Sequence, residues 1–182
     1  MKKTKDITTL ALFMAIHIAI SMFYIPVADN LRIYFTYIIV MLLSIIYPPK
    51  VVFIYAIFED LIAFMIAPSG TFFIGYTITA VVGMMIYSFF LHKEVSVLRI
   101  VLAKTLANVI ANIGLNSLWS SMLYSKGFIY YLSTSVIKNI ALLPFEIIIF
   151  ISFYRAIRPP LVKHGFINSN EKQLNLKIFK GQ

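Results

Sequence analysis

Cysteine is absent from the 182 residues, which removes disulfides, thiolate metal sites and a cysteine nucleophile from consideration. Charge is scarce as well, at 13% of residues against about 25% in ordinary soluble chains. No G-x-x-x-x-G-K-[ST] phosphate loop occurs, so the chain has no means of its own to spend ATP. H-E-x-x-H and G-x-S-x-G are missing too, and no carboxylate pair stands beside a histidine in an evident catalytic arrangement. The expectation is a protein that is not an enzyme, with no catalytic residues, no metal site and no cofactor of its own.

What the sequence has in excess is apolar surface. Hydrophobic residues make up 60% of the chain, where about 45–50% is usual, and the mean hydropathy is +0.89. A chain of this length makes one compact unit, and here its outside is as apolar as its inside, so the solvent is a bilayer. The formal net charge of +9 is not gathered into one patch that would suit nucleic acid. It lies at the termini and in short gaps between apolar runs, where membrane proteins use it for topology.

Six apolar runs are expected to span: Ile7 to Ala28, Ile33 to Tyr47, Val51 to Ala67, Thr71 to Leu91, about Ile100 to Met122, and about Ser135 to Ile157. Pro48-Pro49-Lys50, Pro68-Ser69-Gly70, His92-Lys93-Glu94 and Arg158-Pro159-Pro160 punctuate them. The predicted fold is an all-α membrane protein of six transmembrane helices, with residues 1–158 as one domain and 159–182 as a polar basic tail. With both termini inside, the cytoplasmic segments hold Lys2, Lys3, Lys5, Lys50, Lys93, Arg99, Arg155, Arg158, Lys163, Lys172, Lys177 and Lys180, while Arg32 and Lys126 stand outside. That imbalance is the one that retained cytoplasmic cations produce, and it predicts a multi-pass plasma-membrane protein with cytoplasmic N- and C-termini. No internal repeat is visible, against a transporter built from duplicated halves.

Charged and amide side chains inside the spans need partners, water or a ligand. Glu59, Asp60, Lys104 and Glu146 read either as ion-paired glue or as site residues. Lys138 lacks an obvious acidic neighbour in this topology and reads as a ligand group. Lys104, Asn108, Asn112 and Asn116 recur every four residues on one stripe. Asn108 suits interhelical bonding, whereas Asn112 and Asn116 lean toward a pocket shared with Trp119, Lys138 and Asn139. Phe72, Phe73 and Tyr76 fit an interfacial belt or a stacking surface, and Arg32 fits an anchor or a receiver of anions. His17 reads as structural. Ala11, Ala15 and Ala19 clear one face of the first span for close helix approach.

Two stretches carry a family resemblance. Glu59-Asp60-Leu61 through Ala67-Pro68-Ser69-Gly70-Thr71-Phe72-Phe73-Ile74-Gly75-Tyr76-Thr77 is one, and Gly114-Leu115-Asn116-Ser117-Leu118-Trp119 with Tyr124, Gly127, Lys138-Asn139 and Leu143-Pro144 is the other. Together they resemble the S components of energy-coupling factor (ECF) vitamin transporters, specifically the folate family. The resemblance implies a substrate-binding subunit that captures a vitamin, folate first, in an outward cavity of helices four to six. It implies docking through Ala11, Ala15 and Ala19 on a scaffold subunit with two ATPases, ATP being used by those partners alone. Under it Asn112, Asn116, Trp119 and Tyr76 serve the ring, Lys138, Arg32 and Lys126 serve carboxylates, and Phe73 and Asn139 complete the substrate-binding set. The alternatives are an S component for pantothenate, a pyridoxine form or hydroxymethylpyrimidine, an intramembrane enzyme, or a structural subunit without ligand.

Overall fold

The computed structural model describes residues 3–28, 31–66, 72–124 and 126–167. Helix α1 (Lys3–Ser21) comes first and stops short of the expected span end at Ala28. Pro26 lacks the N–H that a helix needs and pushes Ile25 before it toward extended backbone, and Val27 adds β-branching. The chain accordingly forms a hairpin of β1 (Tyr24–Ala28) and β2 (Leu31–Tyr34), antiparallel, with Tyr24 opposite Tyr34 and Ile25 opposite Ile33. The Tyr24 and Tyr34 rings lie 5.7 Å apart. The second apolar run therefore begins as a strand and becomes helical only at α2 (Tyr37–Ile46).

Helix α2 is only 10 residues long, about 15 Å, and is apolar on every side. A helix of that kind belongs in the middle of a bundle. Met41, Leu43 and Ile45 are wholly buried there and join Tyr55, Met84, Ile100 and Phe150 in one core. Helix α3 (Pro49–Ile66) opens with Pro49, whose fixed φ and missing N–H suit a first helical turn. The Pro68-Ser69-Gly70 turn lies outside the described residues. Helix α4 (Ile74–Leu91) follows, packed on α3, α2 and α5.

The next rod is continuous from Val97 to Leu123 but not uniform. It comprises α5 (Val97–Ala107), a π-helical stretch Asn108–Leu115, and α6 (Asn116–Leu123). Ser96 caps its start, its hydroxyl accepting from the Arg99 N–H at 3.2 Å. Helix α7 (Phe128–Lys163) has 36 residues and passes through Pro144, Pro159 and Pro160. The expected stop at Arg158-Pro159-Pro160 is overrun, because proline's φ is itself helical and the two missing N–H groups fall near the helix end. Beyond it the chain turns back on α1: Lys5 Nζ donates to the His164 carbonyl at 3.0 Å, and Ile167 is buried in the core. Residues 168–182 of the expected tail lie outside the described residues.

Among the described residues, four helical stretches are long and apolar enough to cross a membrane: Thr4–Ser21, Ile74–Leu91, Val97–Leu123 and Phe128–Lys163. Helix α2 is too short to be counted, and α3 carries Lys50, Glu59 and Asp60. Outward faces are apolar, with Phe53, Ile54 and Phe58 on α3 and Ile137, Ile140, Phe145 and Ile148 on α7 exposed. Side chains of this kind facing out over so long a helix call for acyl chains around them.

Candidate functional site

A cavity of about 1040 Å³ runs down the inside of the bundle, from the hairpin and the start of α4 to the buried charges on α3, α5 and α7. It lies at the upper end of the about 300–1,000 Å³ that small-molecule sites occupy. Its mouth is aromatic. Phe73 and Tyr76 on α4, Tyr124 just after α6, and Tyr130 and Tyr131 on α7 all line it, with Tyr24 and Tyr34 from the hairpin. Lys126 also lines it, its Nζ donating to the Tyr130 hydroxyl at 3.1 Å.

Farther in, the wall becomes a polar ladder. Lys104 Nζ lies 3.1 Å from Glu146 Oε2, and the two side chains retain 3% and 14% exposure. Asn108 Nδ2 donates to that same Oε2 at 3.4 Å, and Asn112 Nδ2 donates to Asn108 Oδ1 at 2.9 Å. The Lys104 ammonium also sits 4.1 Å from the centroid of the Tyr37 ring, a cation–π contact. The ion-paired reading of Lys104 and Glu146 is therefore the one the geometry adopts, while both residues still line the cavity.

The π-helical stretch explains how four polar residues spaced by four stay in line. On an α-helix of about 3.6 residues per turn such a stripe drifts steadily sideways; the wider π turn reverses the drift over Asn108–Leu115. Asn116 N–H bonds the Ala111 carbonyl, five residues back. Gly83 on α4 faces this stretch, where an added Cβ would be 3.7 Å from Ala111 Cβ.

A second polar group sits across the cavity. His17 Nδ1 on α1 lies 2.5 Å from Glu59 Oε1, within ion-pair distance though without the alignment of a hydrogen bond. Next to it, the Thr77 hydroxyl donates to Asp60 Oδ2 at 2.6 Å, tying α4 to α3. His17 is buried and lines the cavity together with Glu59 and Asp60; among the described residues no group of three His, Asp or Glu side chains could hold a metal.

Six of the expected site residues face the cavity together: Phe73, Tyr76, Asn112, Asn116, Lys138 and Asn139. Asn139 spends its amide on the Ser135 carbonyl at 2.8 Å. Trp119 is not part of the lining. It stands behind it, its Nε1 donating to Thr79 Oγ1 at 3.0 Å and its ring packed 5.6 Å from that of Phe73. Arg32 is in β2, across from Pro26, and its side chain lies outside the described residues. Ala11, Ala15 and Ala19 do not line the cavity and are exposed on α1.

Sequence reasoning gave Thr77 and Thr79 no role of their own, and it passed over Tyr37 and the hairpin tyrosines. Threonines inside an apolar run were visible as hydroxyls in search of a partner. The hairpin was signalled by Pro26 among β-branched residues.

Comparison with known proteins converges on one family. The family model described as "ECF-type riboflavin transporter, S component" matches residues 1–159. The folate transporter FolT of Leuconostoc mesenteroides subsp. mesenteroides is 34% identical over 152 residues, covering 79% of this chain and 81% of that protein. FolT of Clostridium novyi is 28% identical over 158 residues, 86% and 92% of the two chains. A crystal structure of FolT bound with folic acid superposes with a TM-score of 0.75 at 28% identity, over 83% of this chain and 92% of that one. This is a transport protein and not an enzyme. By family match, relatives and fold alike, the chain belongs to the S components of ECF-type transporters.

Proposed function

We propose that this chain is the folate-capturing membrane subunit of an ECF importer. The observation that carries the reading is the fold shared with FolT bound to folic acid, together with a cavity in this chain of the size and lining such a ligand needs. Folate has a flat donor-rich ring, an apolar middle and a glutamate with two carboxylates. The amides of Asn112 and Asn116 suit the ring, and the rings of Phe73 and Tyr76 suit stacking on it. Lys138 and Lys126, with Arg32 from the hairpin, supply cations for the carboxylates.

In the same proposal α1 to α4, the Val97–Leu123 rod and α7 are six spans with both termini in the cytoplasm, and the chain after residue 158 is a cytoplasmic tail. The exposed Ala11, Ala15 and Ala19 face is where the scaffold subunit docks, and ATP is spent by two partner ATPases. The chain itself needs no cofactor.

The matching family is named for riboflavin transporters, which makes riboflavin the second candidate ligand. Calorimetry of the purified protein against folate, riboflavin, pantothenate, pyridoxine and hydroxymethylpyrimidine separates them. Folate binding at submicromolar Kd, with the others at least about a hundredfold weaker, is expected. Tight binding of any other member and none of folate overturns the reading. Mass spectrometry of the molecule that copurifies gives an independent answer.

A further inference from the structure

The ladder on the Val97–Leu123 rod has a direction. Glu146, paired to the Lys104 ammonium, accepts at its oxygens and donates nothing. Asn108 must therefore turn its amide N–H toward Glu146 Oε2, which leaves Asn108 Oδ1 as an acceptor. Asn112 must in turn give its N–H to that oxygen, and so its own Oδ1 is left as an acceptor. An asparagine amide on its own is free to present either edge. Here the buried carboxylate decides, and the decision is relayed over two amides. Asn108 is buried behind the wall, whereas Asn112 and Glu146 line the cavity.

We infer that the Lys104–Glu146–Asn108–Asn112 ladder is a specificity device: it sets the Asn112 amide oxygen as an acceptor on the same wall as the Glu146 carboxylate, and this pair of acceptors selects a heterocycle with adjacent N–H donors. This rests on the folate reading and deepens it. The 2-amino-4-oxo pyrimidine edge of a pterin offers a ring N–H beside an exocyclic NH₂, two donors side by side. The dione edge of a flavin offers a single N–H between two carbonyls, and those carbonyls meet lone pairs on the same wall. Discrimination of this kind is large, because a mismatched ring leaves buried acceptors without partners.

The test pairs two ligands with four proteins. The ligands are folate and a folate analogue with a methyl group in place of the 2-amino group; the proteins are wild type, Glu146→Gln, Asn112→Leu and a double variant, read by calorimetry in detergent. In wild type, folate is expected to bind at least about tenfold more tightly than the analogue. In each variant folate should lose about tenfold or more, with the analogue changing less than about threefold. Glu146→Gln strands a buried ammonium, so Lys104→Gln/Glu146→Gln is measured beside it, with thermal melts to report folding. Asn112→Leu leaves the ion pair in place.

Equal loss for both ligands in Asn112→Leu and in the double variant overturns the selective role. So does wild-type binding of the analogue as tight as that of folate. Either result leaves the folate reading standing. Failure of wild type to bind folate at all ends both.

Discussion

Trp119 rests on Gly75. A Cβ built on that glycine would come 2.6 Å from Trp119 Cδ2 and collide with the Phe73 ring as well. The close approach lets the indole reach Thr79 on the next turn of α4 and back the aromatic wall of the cavity. Gly75→Ala is therefore expected to push both rings out of place, at a cost of about 1–3 kcal/mol. A thermal melt in detergent should show a lowered Tm. Calorimetry should show weaker folate binding, since Phe73 is part of the lining.

Lys104 and Glu146 should behave as a coupled pair. Removing either partner, as in Lys104→Met or Glu146→Gln, strands a buried charge and is expected to cost about 3–5 kcal/mol. The double variant should recover most of that loss. Melting temperatures of the four proteins form a double-mutant cycle, and additive losses would disprove the coupling.

The Thr77 hydroxyl is the donor that the Asp60 carboxylate holds inside the bundle. Thr77→Val keeps the shape and removes the donor, with an expected loss of about 1–3 kcal/mol. Thr77→Ser should restore most of it. Melts of the two variants side by side check this, and equal stability would show that Asp60 has other support.

On the proposed function, Lys138 contributes to the carboxylate end of the site. Lys138→Met should weaken folate by about tenfold or more, while pteroate, which lacks the glutamate, should change little. Calorimetry with both ligands decides it, and an equal effect on the two would place Lys138 elsewhere in the site.

Docking makes the last prediction. Ala15 is exposed on α1 and is not part of the cavity lining. Ala15→Trp should leave folate affinity unchanged in the purified protein and abolish uptake by cells that supply the other subunits. Normal uptake would remove the alanine face from the docking surface.

Much of this architecture was legible in the chain because lipid enforces plain rules. Apolar runs of sufficient length gave α4 and the Val97–Leu123 rod close to their places, whereas α7 extends beyond its run at both ends. The polar residues at four-residue spacing pointed to the wall that Asn112 and Asn116 line. Hydropathy failed at Tyr24–Tyr34, since a strand of Ile, Val and Tyr is as apolar as a helix and only Pro26 distinguishes them. It also overlooked the π turn, because an extra residue in a helical turn leaves no mark on composition. The bond from the Trp119 indole N–H to Thr79 was not foreseen either, a pairing across two helices that no local pattern reveals.

The 36 residues of α7 make a rod of about 54 Å, against about 30 Å of hydrocarbon. One end carries Tyr130 and Tyr131 at the cavity mouth, and the other carries Arg155, Arg158 and Lys163. Only Pro144 interrupts its backbone ladder before the final turns. The excess of about 24 Å has to be taken up by tilt, by a bend at Pro144 or by turns that stand outside the hydrocarbon, where the basic residues of the last turns find water.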